Sequence, residues 1–319
     1  MGEPVTRRAH ARIGLLGNPS DGYFGKTIAL SVEAFWAEVV LTPNAGGSPE
    51  VTFEPHPEHD TSSFPSLAAH SRYTSSNGFY GGVRLLRALC AAFHDELAPK
   101  RGGGLSGPGF SMRYDTNVPR QSGLSGSSAI ITAGLRCLVE HYGVTERELP
   151  TPLRPRLVLR AEQLLGITAG LQDRVIQTYE GVVYMDFDEK HLEAHGHGVY
   201  EPLSPSLLPP LWLVWNNNPA DSGAVHSDVR RRWDAGEPEA RRLMAEVAAL
   251  APKGRAALEA GDVGALAALM EENFRLRRAL FGDEVLGAPN IAMVELAKSV
   301  GASAKFTGSG GAVVAVCPG

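Results

Sequence analysis

Two carboxylates separated by a short, glycine-containing segment are the residues of this sequence with the clearest chemical potential. Glu162 lies near the end of a helical pattern, and Asp173 follows the break GITAGLQ at 166–172. The two side chains are therefore expected on different elements, from which they can converge. In such a pair one carboxylate can hold Mg²⁺, while the other orients or deprotonates an attacking hydroxyl. The spacing also fits a helix-surface Glu and a helix-capping Asp.

A glycine- and serine-rich loop provides a second chemical feature, a place for phosphate. Segment 117–138 reads NVPRQSGLSGSSAIITAGLRCL, in which a proline-bounded turn runs directly into a helical pattern. The N–H groups of a first helical turn lack internal acceptors and bind anions, and small residues let the backbone approach a phosphate closely. A serine hydroxyl can add a ligand to the Mg²⁺ of that phosphate. The alternative is a capping turn with flexible glycines.

Composition limits the classes of protein to which the chain can belong. Its 319 residues allow a large core and about two domains. The net charge of −5 provides no electrostatic footprint for nucleic acid. Cys90, Cys137 and Cys317 are far apart and odd in number, which favours reduced thiols. No apolar run reaches the roughly 18 residues of a membrane span, so we expect a cytoplasmic protein without a membrane, nucleic-acid or obligate protein partner.

The residue pattern alternates between strand-like and helix-like segments. Strands are expected at 11–17, 27–41, 110–117, 181–188, 207–215, 304–306 and 312–316. Helices are expected at 81–98, 130–138, 156–165, 225–233, 238–261, 263–281 and 289–300. Segment 43–76 reads as irregular, and the histidine-containing segment 191–198 reads as a turn. This mixture is compatible with an α+β fold.

Three motifs in this order resemble those of the GHMP kinases, the family of galactokinase, homoserine kinase and mevalonate kinase. The first is ARIGLLGNPSDG, which includes Arg12 and Asp21 but has Asn-Pro where sugar kinases of the family have Glu-His. The second, PRQSGLSGSSA, is similar to P-x-x-x-G-L-G-S-S-A with one extra residue, Ser125. The third is KFTGSGG at 305–311. The variant RQSGLSGSSAI resembles a narrower group of the family, the glucuronokinases.

The resemblance implies a two-lobed α+β fold. The N-terminal lobe, 1–205, is expected to fold like ribosomal protein S5 domain 2 and to bind ATP. The C-terminal lobe, 206–319, is expected to be ferredoxin-like. Relatives usually continue through a further helix and strand after the strand at 312–316, so we expect the second lobe to be truncated or completed differently.

The resemblance also implies the reaction, which is Mg²⁺- and ATP-dependent phosphorylation of the anomeric hydroxyl of D-glucuronate to 1-phospho-D-glucuronate. In this assignment Asp173 accepts the hydroxyl proton, and Arg12 steadies charge on the phosphoryl group. Glu162 binds Mg²⁺ together with Ser127 or Ser128. The expected ATP contacts are Pro119, Gly123, Leu124, Ser125, Gly126, Ser127 and Ser128. The expected substrate contacts are Asp21, Arg174, Gly308 and Gly310.

Two questions stay open at the level of sequence. A sugar acid needs a cation for its carboxylate, and Arg120, Arg174 and Lys26 are all candidates. The polar segment 216–223 is a further candidate for a wall of the substrate pocket.

Two other functions also stay open. One is a GHMP kinase for another small alcohol, such as galactose, a heptose, galacturonate or mevalonate. The other is a catalytically silent relative that binds nucleotide and sugar. The presence of Arg12, Glu162 and Asp173 argues against the silent relative.

Overall fold

The computed structural model describes residues 2–77, 81–216 and 227–318. Residues 217–223 of the segment predicted to form a wall of the substrate pocket therefore lie outside the described residues. The strands are Val5–Leu16 (β1), Lys26–Pro43 (β2), Val51–Phe53 (β3), Phe110–Thr116 (β4), Val182–Asp186 (β5), Val199–Leu203 (β6), Leu211–Trp215 (β7), Ser303–Phe306 (β8) and Ala312–Val316 (β9). The helices are Leu67–Asn77 (α1), Val83–Leu97 (α2), Gly126–His141 (α3), Arg154–Gln163 (α4), Gln172–Tyr179 (α5), Glu189–His195 (α6), Ser227–Asp234 (α7), Pro238–Ala248 (α8), Leu250–Ala260 (α9), Val263–Phe281 (α10), Asp283–Leu286 (α11) and Ala288–Ser299 (α12). The predicted α+β class is confirmed.

The chain forms two compact units, each assembled from separate segments. The first unit comprises Met1–Ala11, Glu33–Arg120 and Gly126–Thr168. The second comprises Arg12–Val32, Gln121–Ser125 and Ala169–Gly319. The long strand β2 contributes residues to both. The division of the sequence between 205 and 206 stays a prediction.

In the first unit, helices cover a sheet formed by β3, β4 and the second half of β2. Strand β4 pairs antiparallel with β2, and β3 pairs parallel with β4. Helices α2, α3 and α4 form one apolar cluster with this sheet. Helix α2 meets α3 at Gly134, where an added Cβ would lie 2.7 Å from Cδ2 of Leu89. The small residue thus permits close packing of α2 against α3.

In the second unit, two sheets support the elements that carry the charged residues. The first half of β2 pairs antiparallel with β5, and β5 pairs with β6. Helix α5 packs on β5 through Val175 and Ile176, both fully buried. The other sheet has the antiparallel order β7–β9–β8. Helix α10 packs on it through Phe274, whose ring lies 5.5 Å from that of Phe306.

Three predictions of secondary structure are wrong. The segment 43–76, expected to be irregular, contains β3 and most of α1. The pairing of β3 with β4 is a tertiary contact, and the polar sequence of α1 lacks a continuous apolar stripe. The histidine segment forms α6 instead of a turn, because Asp188 accepts a hydrogen bond from the His191 N–H and caps the helix.

The single helix expected at 238–261 is instead two helices, α8 and α9. Pro252 has no N–H to donate to the carbonyl of the preceding turn, so the helix is interrupted just before it. Within the ranges described above, no helix is both long enough and apolar enough to cross a bilayer.

Replacing Leu89 with Ala should destabilise the protein by about 2–5 kcal/mol, because the side chain is fully buried between α2 and α3 and the remaining cavity cannot fill completely. Chemical denaturation measures this change. The control is Leu67→Ala on α1, where the side chain is 83% exposed and where we expect no measurable change. Equal effects of the two substitutions would contradict the packing described here.

Candidate active site

Two glycine loops of the second unit pack against each other, backbone to backbone. Gly123 has φ +70°, and an added Cβ there would lie 2.1 Å from the Gly310 carbonyl oxygen. A Cβ on Gly308 would lie 2.5 Å from the Gly123 carbonyl oxygen and 2.8 Å from Nη2 of Arg12. The two loop backbones approach so closely that only glycine fits at these positions. The predicted substrate residues Gly308 and Gly310 lie against Gly123 of the loop that is predicted to bind phosphate.

Arg12 and Asp173 form a largely buried ion pair beside these loops, with side chains 6% and 17% exposed. Arg12 is 5% exposed, and its Nε and Nη2 donate to the two oxygens of Asp173 at 2.5 and 2.8 Å. Its Nη1 donates to the carbonyl oxygens of Gly123 at 2.7 Å and Thr307 at 3.3 Å. Its backbone N–H donates to Leu124 at 3.2 Å. One guanidinium thus joins β1, α5 and both glycine loops.

Ser125 also contacts the Asp173 carboxylate. Its hydroxyl donates to Oδ2 of Asp173, and its carbonyl accepts from Nε2 of Gln177 at 2.9 Å. Ser125 has φ +68°, a left-handed conformation that is uncommon for a residue with a side chain. Hydrogen bonds of its hydroxyl and its carbonyl to two residues of α5 hold Ser125 in this conformation. The residue that departs from the family motif is therefore in direct contact with the predicted catalytic carboxylate.

The charges around Asp173 keep it ionised. Burial alone would raise its pKa, but the charges of Arg12 and Arg174 and the hydrogen bonds from Arg12 and Ser125 outweigh burial and hold the pKa well below its usual range. Asp173 is thus a carboxylate of low proton affinity that can accept hydrogen bonds throughout the physiological pH range.

Asp21 has the opposite electrostatic character. It lies in the short 3-10 helix Ser20–Tyr23, where it accepts a hydrogen bond from the Gln172 N–H at 3.0 Å. Burial raises its pKa to about 6, and the negative charge of Asp173 adds to this shift. Gly170 must be a glycine here, because an added Cβ would lie 1.9 Å from Oδ2 of Asp21. The two predicted acidic residues therefore occupy one electrostatic environment within the second unit.

A network around Lys305 was not predicted from the sequence. Lys305 is 1% exposed, and its ammonium donates to the Gly14 carbonyl, to Oδ1 of Asn18 and to the Phe306 carbonyl at 2.6 to 2.8 Å. Asn273 on α10 joins this network through the Asn18 carbonyl at 3.2 Å. Lys305 and Asn18 lie within recognised motifs, which could have identified them. Asn273 lies in a helix whose pattern gave no such signal.

In the first unit, Ser127 and Glu162 form the predicted metal-binding pair. Glu162 on α4 is fully buried, and the hydroxyl of Ser127 on α3 donates to its Oε1 at 3.0 Å. Gly126 begins α3, and Ser128 in its first turn is fully buried. Glu162 and Asp173 lie on different elements, as their spacing predicts, and these elements are the helices α4 and α5.

The remaining predicted residues are distributed over both units. Pro119 and Arg120 end a segment of the first unit. Arg174 lies next to Asp173, with Nη1 of the arginine 3.6 Å from Oδ2 of the carboxylate. Lys26 forms a salt bridge with Asp186. The catalytic, nucleotide, metal and substrate roles of these side chains stay predictions.

Comparisons with known proteins identify relatives over nearly the whole chain. The model of the GHMP kinases N terminal domain matches residues 84–181, and that of the GHMP kinases C terminal matches residues 255–319. The chain is similar to Glucuronokinase 1 of Arabidopsis thaliana, with 51% identity over 314 residues, which are 98% of this chain and 85% of that protein.

Solved structures share the fold at low sequence identity. The Lin0012 protein from Listeria innocua superposes with a TM-score of 0.73 at 15% identity, over 99% of this chain and 91% of that one. Streptococcus pneumoniae phosphomevalonate kinase, in complex with phosphomevalonate and AMPPNP, gives 0.71 at 13% identity, over 99% and 92%. The matches confirm the expected two-lobed α+β architecture. This chain belongs to the GHMP kinase family.

Proposed function

We propose that the protein is an ATP-dependent sugar-acid kinase that phosphorylates the anomeric hydroxyl of D-glucuronate, giving 1-phospho-D-glucuronate and ADP. The partly buried cluster of Arg12, Asp173 and Ser125 carries the chemical part of this proposal. The choice of substrate is supported by the 51% identity with a protein named glucuronokinase.

Asp173 is assigned to the acceptor hydroxyl. Phosphoryl transfer passes through a loose transition state, so the attacking hydroxyl needs orientation more than early deprotonation. An ionised carboxylate fixed by Arg12 at 2.5 and 2.8 Å can provide that orientation and accept the proton as the new P–O bond forms. The positive charge of Arg12 would stabilise the negative charge that develops on the transferred group.

Ser127 and Glu162 are assigned to the metal. Mg²⁺ prefers oxygen ligands, and a buried carboxylate 3.0 Å from a serine hydroxyl fits that preference. The backbone from Gly123 to Ser128 would hold the phosphates at the start of α3. Bound ATP and Mg²⁺ would supply the phosphoryl group and neutralise charge on it.

A coupled ADP-release assay with Mg-ATP tests the function, comparing glucuronate with galacturonate, glucose, galactose and mevalonate. Strong turnover on glucuronate alone is expected. Turnover on one of the other compounds would keep the kinase and replace the substrate. Absence of turnover on all of them, with ATP still bound, would contradict the proposal and favour the silent relative.

Replacing Asp173 with Asn should lower kcat by about 10²- to 10⁴-fold, the range for loss of a positioned acid–base group. The apparent KM for ATP should change far less, because the assigned role of Asp173 concerns the acceptor. Steady-state kinetics measure both constants, and a thermal melt checks that the variant folds. Asp234→Asn is the control, since its side chain is 55% exposed. Equal kcat values for the wild type and Asp173→Asn would exclude the assigned role.

Replacing Glu162 with Gln should raise the Mg²⁺ concentration needed for half-maximal rate by at least about tenfold, since removal of even an indirect partner of a metal ligand costs about 10- to 100-fold. The amide keeps the shape and can still accept from Ser127. Titration of Mg²⁺ at saturating ATP measures the change, with the exposed Glu50→Gln as control. An unchanged Mg²⁺ requirement would remove Glu162 from the metal site.

The kcat/KM for the sugar should rise with pH through about 6, where Asp21 loses its proton. Its raised pKa means that the ionised, hydrogen-bond-accepting form is present above this value and is lost below it, whereas Asp173 stays ionised. In Asp21→Asn this rise should disappear, because an amide does not titrate. A pH–rate profile of both proteins at saturating ATP decides the matter. A rise at the same pH in the variant would assign the titration to another group.

A further inference from the structure

We propose that Arg174 binds the carboxylate of the acceptor substrate and thereby selects a sugar acid over a neutral sugar. This inference rests on the proposed function and concerns the same site. It selects Arg174 from the three candidates for carboxylate binding that the sequence analysis left open, which are Arg120, Arg174 and Lys26.

Arg174 lies beside both acidic residues assigned to the acceptor. Its side chain is 4% exposed, and Nη1 lies 3.6 Å from Oδ2 of Asp173. The same Nη1 donates to the Gly170 carbonyl at 2.9 Å, and Gly170 in turn abuts Asp21. The charge of Arg174 lowers the proton affinity of both Asp21 and Asp173. Its guanidinium is therefore within electrostatic range of the expected sugar position.

The other buried cations of the second unit have different environments. The guanidinium of Arg12 donates hydrogen bonds to Asp173 and to two backbone carbonyls. Lys305 donates to three acceptors at 2.6 to 2.8 Å, which matches the three N–H groups of an ammonium. Arg277 is 2% exposed, and its guanidinium lies 5.1 and 5.6 Å from the ring centres of Phe281 and Phe306. Arg12 and Lys305 thus donate to groups of the protein itself, and Arg277 packs against aromatic rings.

The other two candidates are less well placed. Lys26 forms a salt bridge with Asp186, and its side chain is 40% exposed. The charge of Arg120 acts on His59 and Tyr114, which are not among the predicted substrate contacts.

Charge balance explains why a sugar acid needs such a residue. Asp173 already raises the pKa of Asp21, so carboxylates in this part of the unit repel one another. A substrate carboxylate would add a third negative charge. A guanidinium offsets that charge and can bind both carboxylate oxygens through two parallel hydrogen bonds. A neutral sugar would lack this interaction.

The test compares Arg174→Met, Arg174→Lys and the wild type on glucuronate and on glucuronamide, in which a neutral amide replaces the carboxylate. Coupled ADP release measures kcat/KM for each sugar at saturating Mg-ATP. In Arg174→Met the ratio of glucuronate to glucuronamide should fall by about 10- to 100-fold, the range for loss of a charged hydrogen bond. The loss should appear mainly in KM. Arg174→Lys should restore part of the ratio, and Lys26→Met should leave it unchanged.

The outcomes separate this inference from the proposed function. Equal losses on both sugars in Arg174→Met would overturn the inference, because Arg174 would then act through Asp173. An unchanged ratio, or a fall in Lys26→Met instead, would overturn it as well. In each of these cases wild-type turnover of glucuronate would leave the proposed function intact. If Arg174→Met does not fold, as judged by thermal melting, the ratio in Arg174→Gln decides. A wild type without activity on glucuronate would refute the function itself.

Discussion

The pairing of Arg12 with Asp173 is the interaction on which the rest of the candidate site depends. An isolated charge is costly to bury, so a guanidinium that is 5% exposed requires a partner and further acceptors. Asp173 satisfies two of its donors, and carbonyls of the two glycine loops satisfy others. Removal of Asp173 would leave the buried charge of Arg12 without its carboxylate partner. Strand β1, helix α5 and both loops are therefore fixed by the same requirement.

The packing of the second unit serves this constraint. Glycines at 123 and 308 let the loops approach closely enough for Arg12 to reach both, and a side chain at either position would collide with backbone. Lys305 holds the Gly14 and Phe306 carbonyls, one on the strand of Arg12 and one beside Thr307. Ser125 adds a hydrogen bond to the same carboxylate from a left-handed backbone conformation. Such strain persists only where surrounding contacts enforce it, and it is common at functional sites.

Much of the fold and the outline of the site could be predicted from the sequence. Apolar periodicity located β2, α2 and α10, and the glycine break placed Glu162 and Asp173 on different elements. That the element of Asp173 is a helix, α5, was not predicted. Strand β3 could not be predicted, since its pairing with β4 is a tertiary contact. Helix α1 could not be predicted, since its polar sequence lacks the apolar stripe that marks a helix. The Asn273 contact depends on long-range packing that motifs do not encode. The sequence could not distinguish Arg174 from Lys26 as the carboxylate-binding residue, because the salt bridge of Lys26 with Asp186 is visible only in the structure.

A double-mutant cycle on kcat tests most directly whether Arg12 and Asp173 act as one unit. The proteins are the wild type, Arg12→Gln, Asp173→Asn and the double variant, each assayed on the preferred sugar acid. We predict that the double variant loses little more activity than the more damaging single variant, because either change disrupts the same assembly. Losses that multiply would show that the two residues contribute independently, and they would contradict the account.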